Sequence, residues 1–133
     1  MQRLSVLWVS LFIVGFSFSL FGQDDTPSLK IVELNQNDGL LAIPSQVVLS
    51  PGDSLQFVAA NGNFAVFIEN AVTFLKIKEA NLNFNINSSG EQTESSIYIV
   101  REVDEDVERN YSIYCISNDT WPAAPPRIII VVE

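Results

Sequence analysis

Short runs rich in β-branched and aromatic residues recur along the chain at 29–34, 47–49, 55–59, 64–68, 72–77, 82–86, 97–100, 111–116 and 128–132. Residues that tolerate left-handed or fixed backbone angles stand between them: Asn37-Asp38-Gly39, Pro51-Gly52-Asp53, Asn61-Gly62-Asn63, Ser88-Ser89-Gly90 and the proline-rich run at 122–126. Many short strands punctuated by turns predict an all-β sandwich or barrel. Within 82–87 the alternation is strict, so Leu82, Phe84 and Ile86 are expected to face a core while Asn83, Asn85 and Asn87 face water. The run 128–132 is apolar without a break, which predicts burial on both faces or central pairing. The one stretch with a helical reading is 103–109, although it is short and lacks an apolar stripe. No linker or repeat divides the chain, and residues 23–133 are expected to form a single domain.

The N-terminus has a different pattern. Arg3 precedes an uncharged stretch at 4–21, followed by Gly22, Gln23 and the acidic pair Asp24-Asp25. This order predicts a signal peptide over residues 1–22, removed near Gly22, and a secreted or periplasmic product with no membrane attachment after cleavage. A retained anchor is the alternative, since the stretch reaches the lower edge of the roughly 17 to 25 apolar residues that span a bilayer. No cysteine stands directly after the stretch to carry a lipid at that point.

Without residues 1–22 the charge balance is six cations against 16 carboxylates, a net of −10. Phosphate backbones and anionic lipids repel such a surface, so nucleic acid is not an expected partner. The chain has one cysteine, Cys115, and therefore no internal disulfide. It has no histidine, which removes Ser-His-Asp and Cys-His catalysis, histidine general bases and most zinc or copper sites. No catalytic residues and no enzyme activity are expected.

Three segments carry a family resemblance. Ala-Ile-Pro-Ser-Gln-Val-Val-Leu-Ser-Pro-Gly-Asp-Ser-Leu-Gln-Phe at 42–57, Tyr-Ser-Ile-Tyr-Cys-Ile-Ser-Asn at 111–118 and Arg-Ile-Ile-Ile-Val-Val at 127–132 resemble the cupredoxins, the plastocyanin-like copper proteins, in order as well as in kind. The resemblance implies a Greek-key β-sandwich, with an immunoglobulin-like sandwich as the alternative because "Pro-Gly-Asp-Ser-Leu-Gln-Phe" also opens strands there. In the family, a histidine ligand follows the first segment, a cysteine ligand ends the aromatic strand, a second histidine lies three residues later and a methionine often follows. In this chain the corresponding positions are Phe64 or Ala65, Cys115 and Asn118, and Trp121-Pro-Ala-Ala-Pro-Pro fills the loop where the methionine would stand. A blue-copper centre needs two imidazoles and a thiolate. The expectation is a scaffold without its copper site or any other cofactor, to which the family's electron transfer does not carry over.

Alternation places Tyr111, Ile113 and Cys115 on one strand face, which makes Cys115 a small core hydrophobe; a relict ligand and a reactive or intermolecularly paired thiol are the rivals. The acidic run at 102–108 lacks the spacing of a calcium loop and is expected to be solvated. Trp121 and Phe64 fall at one end of the fold under the resemblance, where they either present a surface to a protein or glycan partner or fill the space of the absent ligands. Asn87, Asn110 and Asn118 head N-glycosylation acceptor patterns, which matter only in a eukaryotic secretory pathway. The expected function is an exported, non-enzymatic binding module for an unknown protein or glycan. A copper-handling or redox protein using Cys115 and a structural subunit of an envelope assembly are the alternatives.

Overall fold

A computed structural model describes residues 26–132, so the expected signal peptide at 1–22 lies outside the described residues. Strand β1, Leu29–Asn35, alternates: Val32 and Leu34 are buried while Leu29, Ile31 and Glu33 face outward. Strand β4, Ser54–Asn61, does the same with Leu55, Phe57 and Ala59 inward, and it runs parallel to β1 from Leu29 opposite Ser54 to Leu34 opposite Ala59. Two short strands complete this sheet: β2, Ala42–Ile43, antiparallel to β1, and β7, Tyr98–Ile99, antiparallel to β4. Its order is β2-β1-β4-β7.

The opposite layer begins with β3, Gln46–Leu49, which pairs in parallel with the last strand, β10, Arg127–Ile130. Strand β8, Val107–Asn110, lies antiparallel on the other side of β10. Strand β9, Ser112–Cys115, pairs with β5, Asn63–Ile68, which pairs in turn with β6, Leu82–Asn87. Only Tyr111 separates β8 from β9, and its N–H donates to the Pro126 carbonyl at 3.0 Å, so residues 107–115 act as one long strand joining the two three-stranded sheets. Phe57 of the first layer packs 5.4 Å from Phe84 and 5.7 Å from Tyr111 of the second, ring centre to ring centre. The molecule is an all-β sandwich. Its β1–β4 and β3–β10 pairs are parallel: the chain visits the other layer between β1 and β4, and β4 to β9 intervene between β3 and β10, the long connections that parallel pairs require. The antiparallel sheets of an immunoglobulin-like sandwich do not describe these pairs.

Two sequence expectations need correction. Residues 72–77 are not a strand: a 3₁₀ turn occupies Ala71–Thr73 after Asn70, whose φ is 53°, and only Leu75 makes a bridge, to Val100. Phe74 and Leu75 are still fully buried, so the apolar run reflects burial rather than extension. Within 103–109, Val107–Asn110 is a strand rather than a helix, because the edge of β10 supplies a ladder that its own weak propensity does not oppose. The run at 128–132 takes the second of its two expected arrangements: β10 pairs centrally, with Ile128 and Ile130 buried, Ile129 half-buried and Val131 beyond it 37% exposed.

One end of the sandwich is closed by the 50–53 corner. The Asp53 N–H donates to the Ser50 carbonyl at 3.0 Å across Pro51 and Gly52, and Gly52 has φ 94°, the positive value that a type II turn places after its proline. The Asp53 side chain is 7% exposed, and its two carboxylate oxygens accept the N–H groups of Ser28 at 3.0 Å and Ser50 at 2.8 Å.

Candidate functional site

At the other end, β9 stops at Cys115. Its backbone stands opposite Phe64 of β5, and both side chains are fully buried, which seals the thiol from solvent. The chain then turns through 116–119, with Asp119 at φ 54°, a left-handed conformation that Asp tolerates better than most residues. It returns to pair Cys115 with Thr120: the Cys115 N–H donates to the Thr120 carbonyl at 2.9 Å and the Thr120 N–H to the Cys115 carbonyl at 3.2 Å.

Gln36, at the end of β1, ties this loop down. The Ser117 hydroxyl donates to Gln36 Oε1 at 2.6 Å, accepts the Asn63 N–H at 3.2 Å and lies 3.4 Å from Cys115 Sγ. Asn118 Nδ2 approaches the Gln36 carbonyl at 3.5 Å. Glycine at 62, with φ 119°, lets Gln36 and Phe64 pass close together: a Cβ there would lie 2.9 Å from Gln36 Oε1 and 3.1 Å from Phe64 Cε2.

Outside this network, Trp121 is 66% exposed and its ring packs on Tyr114 with centres 4.8 Å apart, inclined at 47°. The Tyr114 hydroxyl donates to Asp119 Oδ1, a bond that holds the phenol above its ordinary range and fixes the stack to the loop. A cleft of about 210 Å³ runs beside Trp121, with Thr120 and Asn118 on one wall and Gln36, Asn37, Asp38, Gly39 and Leu41 on the other. The two walls are bridged where the Ala123 N–H donates to the Gly39 carbonyl at 2.9 Å.

Among the sequence-selected residues, Phe64 and Cys115 come together, while Ala65 faces the other way, opposite Tyr114, and is half-buried. Asn118 lies in the exposed loop. Phe64 has no surface to offer a partner, so of the two residues selected for partner binding only Trp121 is accessible. Gln36, Ser117, Asn37 and Asp38 were not selected: the sequence signal at 37–39 was a turn, and the packing of Gln36 on a residue 81 positions away leaves no local mark.

The acidic run at 102–108 has scattered duties. Glu102 and Asp104 edge a cleft of about 710 Å³ at the 50–53 corner, Asp106 Oδ1 accepts the Val132 N–H at 2.9 Å, and Glu108 pairs with Arg127. Among the described residues, no three His, Cys, Asp or Glu side chains converge to hold a metal ion, and no helix is long and apolar enough to cross a membrane.

No family model matches the chain, and no curated protein matches it. Among solved structures it is similar to the reduced Cu(I) form at pH 4 of an amicyanin mutant, at 14% identity over 86% of this chain and 89% of that one, with a TM-score of 0.40. A second amicyanin mutant with Cu(I) is similar at 16% identity over the same shares, with a TM-score of 0.40.

Proposed function

We propose that the protein is an exported, non-enzymatic binding module, built on a cupredoxin-like sandwich without a copper site, that presents Trp121 to its partner in the periplasm or outside the cell. The observation that carries this reading is the Trp121 ring itself, left bare yet held in place by the Tyr114 stack and the Tyr114–Asp119 bond. Leaving an indole in water forgoes the largest apolar contact a side chain can make, and an exposed, pre-positioned aromatic is the usual anchor of a recognition surface.

The residues at the resembling positions do not fit blue copper. They supply one buried thiol, an apolar ring at Phe64, a methyl at Ala65 and an amide at Asn118 directed to the Gln36 carbonyl, where the centre requires two imidazoles. Phe64 takes up core volume beside Cys115, as expected of a dense interior.

Titrating metal-stripped protein with copper(I) and copper(II), alongside a Cys115→Ser control, tests this reading against the copper-handling alternative. The expected result is no tight equivalent of either ion and no thiolate-to-copper absorption. One tight equivalent lost in Cys115→Ser overturns it.

A further inference from the structure

We propose that the Trp121 end binds a neutral carbohydrate, with a pyranose ring laid on the exposed indole and its hydroxyls bonded by Gln36, Asn37, Asp38, Asn118 and Thr120. This rests on the binding-module reading above and names its ligand class.

A sugar ring has an apolar C–H face and a rim of hydroxyls that both donate and accept. Its site therefore needs a flat aromatic surface beside planar polar groups with spare bonding capacity. The cleft beside Trp121 has both. Asp38 Oδ1 accepts the Leu40 N–H at 2.8 Å, which leaves Oδ2 as an acceptor. Gln36 Oε1 is taken by Ser117, which leaves Nε2 as a donor, and Asn118 Nδ2 is directed to the Gln36 carbonyl, which leaves Oδ1. The side chains of Asn37 and Thr120 make no hydrogen bond to any described residue. Donors and acceptors are thus mixed along both walls.

The walls are also pre-formed. Leu41, 2% exposed, anchors the 36–41 loop in the core and is held at φ 63°. A branched apolar side chain keeps that backbone only where its surroundings enforce it. With the Tyr114 stack opposite, the ligand would not have to order the site, a cost that otherwise weakens binding.

Two competing ligand classes fit less well. A peptide hot spot sits in a well-packed pocket ringed by contacts that exclude water, whereas the side chains around Trp121 in this cleft are, apart from the buried Leu41, amides, a carboxylate and a hydroxyl. An acidic glycan or a phosphate would meet no Lys or Arg in the lining and a domain of net charge −10.

The test is an amide and indole NMR titration of the full chain, with the Trp121 indole signal assigned from Trp121→Phe, against three panels: neutral oligosaccharides of several linkages, acidic oligosaccharides, and mixed peptides. The expected result is that a neutral oligosaccharide shifts the Trp121 indole with the Asn118 and Thr120 amides. Trp121→Ala should then weaken binding at least tenfold and Asn37→Ala severalfold, with both variants keeping the dispersed spectrum of the folded protein. Shifts produced only by acidic sugars overturn the neutral assignment. If only peptides shift Trp121, the carbohydrate inference fails and the binding-module reading stands. If nothing in the three panels shifts Trp121, both fail.

Discussion

At the 50–53 corner, one carboxylate closes an end of the sandwich by accepting the backbone amides of Ser28 and Ser50. At the 115–121 loop, beside the Cys115–Thr120 backbone pair, side-chain hydroxyls and amides meet at Gln36, and the residue that follows is a bare indole. Residues 107–115 run from one end to the other: Val107 lies opposite Ile130 near the corner, and Cys115 lies under the loop. The corner buries its carboxylate, with each oxygen already accepting a backbone amide. The loop keeps its polar groups at the surface with bonds to spare. An end built in the first way serves stability, and one built in the second can serve recognition, so the two should answer to substitution very differently.

The largest effect is expected at the corner. Asp53→Ala removes a charged acceptor from two amides at once, and hydrogen bonds to charged groups contribute about 1.5 to 3 kcal/mol each. A loss of about 3 kcal/mol in urea unfolding is expected; a loss below about 1 kcal/mol would make the corner no stronger than the loop. Tyr111, midway along the connecting strand, gives the next effect. Its hydroxyl is buried without a partner among the described residues. An unsatisfied buried group costs about 1 to 3 kcal/mol, so Tyr111→Phe is expected to stabilise by about 1 kcal/mol at neutral pH.

The same burial pushes the Tyr111 phenol well above its ordinary value of 10.0. Above that pH the unfolded chain loses this proton and the folded one keeps it. Stability therefore falls with rising pH by about 1.4 kcal/mol per unit, while below pH 10.0 the effect of the shift is constant. Unfolding curves for wild type and Tyr111→Phe between neutral pH and pH 12 should diverge above 10.0, with wild type the steeper.

Ser117→Ala takes one tie out of the loop. It is expected to cost about 1 kcal/mol, and to speed alkylation of Cys115 in the folded protein severalfold because the neighbour of the thiol is gone. Trp121→Ala should be the smallest, within about 0.5 kcal/mol, as is usual for exposed positions. A loss of several kcal/mol there would place the indole among the supports of the fold and erase the contrast between the ends.

The contrast also separates what the sequence disclosed from what it did not. The corner was legible, because Pro51-Gly52-Asp53 carries its turn geometry in the residue types themselves. So were most strands, where alternation records a one-sided burial that the fold then uses: the Leu82–Asn87 pattern and the inward set Tyr111, Ile113 and Cys115 are direct examples. Apolar character alone did not distinguish the extended 64–68 from the turned 71–75, since both are buried and only hydrogen-bond partners differ. The loop was legible only in its aromatic. Gln36 reads as an ordinary polar residue until the β1–β4 and β5–β9 pairings bring it beside Ser117. Asn37 and Asp38, read as a turn, are also a wall.

The β3–β10 pair carries a consequence for how the chain is made. Arg127 and Gln46, which face each other in that parallel pair, are 81 residues apart, so the second layer cannot close until nearly the whole chain is available. Sandwiches dominated by such distant pairings fold slowly, on the order of milliseconds to seconds. A polypeptide without β10 lacks the partner that locks β3 and β8 together. Arrival of β10 between β3 and β8 is then the event that commits the second layer to its native pairing.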